Sequence, residues 1–108
     1  MATHAFTDTR TRLREAAELA QTDPKAAVKV YDEIAADRGY GQVMQDIATL
    51  RTGFLLVDTA SYADMRARLE LLTGAERPFR YSARELLALS AWKQGDMGAA
   101  RLRAPAGV

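Results

Sequence analysis

The segment Glu85–Ala100 constrains the fold more than any other part of the chain. A run of helix formers ends at Gly95-Asp96, and a second helical run begins at Met97. Glycine stops a helix because it adopts left-handed backbone without Cβ strain; aspartate then starts the next by accepting from its first free amides. Ala88, Ala91 and Ala100 are small enough to let two antiparallel helices approach closely. A chain with this segment is predicted to fold back on itself as helical hairpins.

The same punctuation recurs upstream. Asp8 or Thr9 is expected to start a first helix reaching about Gln21. Asp23-Pro24 restarts the chain, since proline suits a first helical position whose N–H needs no partner. Ala27, Val30, Tyr31, Ile34 and Ala35 then share one face of a second helix, which Gly39 is expected to stop. In a third helix, from about Gly41 to Thr59, Val43, Ile47, Leu50, Phe54 and Val57 recur at spacings of four and three and predict one apolar stripe. Ser61 and Asp64 have the spacing of a capping box for a fourth helix with Tyr62, Met65, Leu69 and Leu72 on its apolar face and Gly74 at its end. Ser82 and Glu85 repeat that spacing at the fifth helix, although its start is also compatible with the residues just after Pro78. Pro105 and Gly107 limit a sixth helix to a stub. No β-branched run alternates at period two, so no strand is expected.

Composition narrows the function. At 108 residues, with 48% apolar and 27% charged residues, the chain has room for one modest helical domain. Residues 8–104 are assigned to it; residues 1–7 and 105–108 are expected to be disordered tails. The net charge of +1 disfavours nucleic acid as a partner, because such sites need a clustered positive excess. There is no cysteine, and His4 is the sole histidine. Thiolate chemistry is thereby excluded, and neither a metal site, a cofactor nor a serine–histidine constellation is expected. The longest apolar stretches, such as Phe54–Val57, fall far short of the roughly 20 residues of a membrane span, and the N-terminus is not a secretory signal. An enzyme is therefore the least expected class.

Several phrases resemble a known family. Ala27 and Ala100 each follow a turn aspartate by four residues, and they are separated by about twice the 34-residue tetratricopeptide period. The runs Tyr31–Asp37, Leu55–Ala60 and Ser82–Leu87, with Gly95-Asp96, look like the soluble tetratricopeptide-like domain of ancillary Sec translocon subunits of the alphaproteobacterial type. The likeness covers roughly residues 10 to 101. It implies an all-α fold, a short right-handed α-solenoid of tetratricopeptide-like hairpins with five helices and a C-terminal stub. It also implies a non-catalytic protein-binding role beside the translocon and periplasmic chaperones, on the periplasmic side of the inner membrane. The family's membrane helix and long sixth helix have no counterpart in this sequence, so the chain reads as a fragment, with a cytoplasmic location as the alternative.

Six residues of the fifth helix are candidates for partner binding: Arg80, Arg84, Glu85, Leu89, Trp92 and Lys93. Arg77, Arg80 and Arg84 form a basic cluster suited to gripping a carboxylate in bidentate fashion; the plainer reading has them solvated or paired with Glu76 and Glu85. Trp92 is either an anchor in a peptide groove or, as the favoured reading, a packed residue between helices. Leu86, Leu87, Leu89, Ala91 and Trp92 span so wide an arc that the helix needs neighbours on two sides. A second copy of the chain is one cover for that surface. A truncated self-associating fragment and a nucleic-acid or regulatory adaptor are the rival functions.

Overall fold

The computed structural model describes residues 6–95. Among them there are five α-helices, two 3-10 turns and no strand: α1 (Phe6–Thr22), α2 (Pro24–Ala36), α3 (Gln42–Leu56), α4 (Tyr62–Leu69) and α5 (Arg80–Lys93). The fold is all-α. The sixth-helix stub, Asp96, Ala100 and His4 lie outside the described residues. The chain divides into two compact units, Met1–Leu55 and Leu56–Val108.

The first unit is built on the hairpin of α1 and α2, which pack along each other. α1 starts two positions ahead of Asp8, whose carboxylate instead lies in the first turn, where negative charge favours the exposed amides. Asp23 caps α2 as expected, accepting from the Ala26 amide at 3.1 Å, with Pro24 at the first helical position. Ala16 of α1 and Ala27, Tyr31 and Ile34 of α2 are buried, and Ala48 of α3 joins them; Leu13, Leu19, Val30 and Leu55 pack around this core. Arg12 ties the hairpin on its outside, donating to Glu33 at 2.7 Å and to Glu15 at 3.3 Å. Partial burial works against its charge, but hydrogen bonds to Tyr40, Glu33 and Glu15 outweigh this and raise the guanidinium pKa. Such a half-exposed pair contributes at most about 1 kcal/mol.

The stop after α2 differs from expectation. Gly39 has no positive φ and lies buried within a 3-10 turn, Arg38–Tyr40, started by Asp37, whose Oδ1 accepts from the Gly39 amide at 2.8 Å. The glycine-specific backbone falls at Gly41 instead, with φ 87° and ψ 155°. A methyl group there would meet no neighbour within 4 Å, so its cost is conformational alone. Gly41→Ala is expected to lower the unfolding free energy by about 1 kcal/mol or more in urea denaturation. Gly39→Ala tests a different quantity, since Gly39 needs no special φ.

α3 corrects the predicted apolar stripe. Of Val43, Ile47, Leu50, Phe54 and Val57, only Leu50 and Val57 are buried, while Val43 is 53% and Phe54 56% exposed. Two strips of mostly small residues are buried instead. Ala48 and Thr52 form one, on the same side as Leu55; Asp46, Leu50 and Gly53 form the other. The bulky Val43, Ile47 and Phe54 fall on the flank between the two strips.

In the second unit, Ser61 caps α4 as expected, accepting from the Asp64 amide at 3.1 Å. Met65, Leu69 and Leu72 are buried, but α4 gives way at Glu70 to a 3-10 turn, Glu70–Thr73, before reaching Gly74. α4 and that turn pack on α5. α5 takes the earlier of its two starts, at Arg80, so Ser82 sits inside the helix and does not cap it. Its buried side carries Ala83, Leu86, Leu87, Ser90 and Ala91, and Gly95 ends it with φ 78° as expected.

Ser90 is fully buried, and its Oγ has no hydrogen-bond partner among the described residues. A buried hydroxyl without a partner loses its hydration with nothing in return, and serine is a weaker helix former than alanine. Ser90→Ala is expected to raise the unfolding free energy by about 1 kcal/mol, visible as a higher melting temperature. A lower one would show that the hydroxyl is bonded in solution.

Candidate functional site

The six candidate residues all lie on α5, but the structure sorts them into two groups. The arginines at its N-terminal end turn toward backbone carbonyls. Arg84 is half-buried and donates through both Nε (3.2 Å) and Nη2 (2.7 Å) to the carbonyl of Thr73, the last residue of the preceding 3-10 turn. Arg80 donates through Nη1 to the Arg77 carbonyl at 3.0 Å. Both guanidinium groups flank the ring of Tyr81, Arg80 at 4.5 Å from its centroid and Arg84 at 5.8 Å. These contacts clamp the turn onto the helix start, a role neither sequence reading of the cluster contained. A carbonyl at a helix or turn terminus is an orphan acceptor, and a forked donor satisfies it.

The other four residues face outward. Glu85 and Lys93 are exposed, Leu89 is 43% exposed and Trp92 61% exposed. The favoured reading of Trp92 as a packed residue is thus corrected. Leu86, Leu87 and Ala91 already fill the buried side, and the indole falls on the opposite arc. Lys93 forms an ion pair with Asp58, and Gln94 reaches the Ala60 carbonyl at 3.5 Å, so the C-terminal end of α5 is tied to the turn before α4. Glu85 sits midway along the exposed arc.

Tyr81 belongs to this face and was missed from the sequence. It is 57% exposed, and it precedes Glu85 by four, Leu89 by eight and Trp92 by eleven positions. That spacing was legible; the tyrosine was overlooked beside the arginine cluster. Together, Tyr81, Leu89 and Trp92 form an apolar and aromatic strip along one helix, with arginines at one end and the Lys93–Asp58 pair at the other. No known protein family, curated protein or solved structure matches this chain. The reading of the surface therefore rests on its own chemistry.

Among the described residues no group of histidine, cysteine, aspartate or glutamate side chains is arranged to hold a metal ion. No helix of the described chain is long and apolar enough to cross a membrane. The aromatic strip offers large rings with few rotatable bonds, the residue types that most often dominate binding energy between proteins.

Proposed function

We propose that this chain is a non-catalytic protein-interaction module, a short right-handed solenoid of tetratricopeptide-like hairpins. Its partners in this reading are those of ancillary Sec translocon subunits: the translocon itself and periplasmic chaperones. The single observation that carries the interaction role is the exposed strip of Tyr81, Leu89 and Trp92 on α5. Such a strip loses free energy to water until a partner covers it, at about 25 cal/mol per Å² of apolar area. The translocon and chaperones come from the resemblance of Tyr31–Asp37, Leu55–Ala60 and Ser82–Leu87 to that family.

A photocrosslinking residue at position 85, on the same exposed arc as Trp92, in the protein expressed in an alphaproteobacterial cell, tests both parts. Adducts to a translocon subunit or a periplasmic chaperone are the expected result, and Trp92→Ala should weaken the captured interaction about tenfold or more. Adducts only between copies of the chain would replace the proposal with self-association through α5. Adducts to ribosomal proteins or nucleic acid would overturn it.

A further inference from the structure

Four exposed residues of α5, Tyr81, Glu85, Leu89 and Lys93, follow one another at intervals of four and form one ridge. Four residues advance a helix by about 6 Å and return to nearly the same side, so each lies beside the next. Leu89 has a carboxylate four positions before it and an ammonium four positions after it. Half-buried Ala88 and exposed Trp92 form the neighbouring ridge, which is lowest at the alanine. Lys93 also pairs with Asp58 of its own chain. An ammonium carries three N–H donors, enough for a second carboxylate.

The order acid, leucine, base is complementary to itself. Two α5 helices laid antiparallel, with a two-fold axis at Leu89, bring position 85 of each copy level with position 93 of the other, because both are four residues from the axis. Glu85 then meets Lys93 of the second copy twice, once on each side of the axis, and Leu89 meets Leu89. Trp92 comes level with position 86 of the second copy, between Glu85 and the low place at Ala88. The alternatives fare worse. A parallel pair in register sets Glu85 against Glu85 and Lys93 against Lys93, and like charges facing each other are repelled. An antiparallel pair centred two residues to either side sets a charge against the leucine. The charge pattern thus selects both an orientation and a register.

We infer that α5 pairs antiparallel with α5 of a second copy about Leu89, an isologous contact held by two Glu85–Lys93 pairs and covering Leu89 and Trp92. The inference rests on the same exposed strip as the proposed partner site and gives that site a regulator: the concentration of the chain itself sets how much of the strip is open. A single helix offers a small interface, and small interfaces are weak. A dissociation constant of about 100 µM is expected, so the chain is monomeric at a few micromolar.

Sedimentation equilibrium of the full chain up to about 1 mM tests this. The charge variants are made on an Asp58→Asn chain, so that an acid at position 93 has no acidic neighbour within its own copy. There, Glu85→Lys should weaken association about tenfold, and adding Lys93→Glu should restore most of it, because the facing charges are exchanged. The chain has no cysteine, so Leu89→Cys places a single thiol at the axis. Mild oxidation should link its copies about tenfold faster than those of Tyr81→Cys, whose two thiols would lie about 24 Å apart along the helices. A monomer at about 1 mM, a double charge variant no tighter than Glu85→Lys, or equal linking at positions 81 and 89 would each overturn the inference. A chain that stays monomeric yet forms translocon or chaperone adducts fails this inference alone. A chain that pairs and forms no such adducts supports it and fails only the partner reading.

Discussion

Leu87→Ala is expected to lower the free energy of unfolding by about 2–5 kcal/mol, measured by urea denaturation followed by far-UV circular dichroism. Leu87 is fully buried on the side of α5 that also carries Leu86 and Ala91. Truncation there loses the transfer free energy of the removed carbons. It also leaves a cavity that close-packed neighbours fill only in part. Leu89 provides the contrast on the same helix. It is 43% exposed, so Leu89→Ala should cost less than about 1 kcal/mol. Equal losses for the two leucines would mean that α5 is covered all round in solution, and the exposed strip with Trp92 would vanish as a binding surface. A large loss for Leu87 alone supports a helix packed on one side and open on the other.

Ala27→Leu addresses the first hairpin from the opposite direction. Ala27 and Ala16 are fully buried in the core shared by α1 and α2. A leucine at position 27 needs space that the close approach of the helices does not leave, and overpacking costs about 1–3 kcal/mol through shifted backbone and strained rotamers. Ala36→Leu is the control. Ala36 is exposed at the end of α2, and the change there should stay within about 0.5 kcal/mol. If Ala27→Leu were equally silent, α1 and α2 would not be held close by small residues, and the hairpin reading of the first unit would fail. A loss confined to position 27 shows that alanine is present there for its size, not for its helix propensity.

The caps were the most legible features of the chain. Asp23 with Pro24, Ser61 with Asp64, and Gly95 all work as read, because capping depends on atoms within a few residues of one another. Gly39 failed because two glycines, Gly39 and Gly41, stand within one turn. The Asp37 side chain recruited the first into a 3-10 turn and moved the positive φ to the second. Ser82 failed because the helix had already started at Arg80. Both misses are local choices between nearby alternatives, and at Gly39 the Asp37 hydrogen bond made the choice.

The candidate site was legible as a helix and not as a surface. Glu85, Leu89, Trp92 and Lys93 were placed on α5 from spacing, but the favoured reading packed Trp92 between helices, and the indole is exposed. The inward turn of Arg84 depends on a carbonyl eleven residues earlier, Thr73, which no pattern within α5 announces.

Among the described residues, the five α-helices and the starts of α2 and α4 follow from the chain alone, since periodicity and caps act over one or two turns. Which sides of α3 are buried was decided only in three dimensions, whereas the buried faces of α2 and α4 were legible from spacing. Ala48, Thr52 and Gly53 are buried there while Phe54 and Val43 stay exposed, although hydrophobicity alone ranks them the other way. The reason is packing density: how closely backbones approach depends on the sizes of both partners, and a single stretch of sequence specifies only one of them.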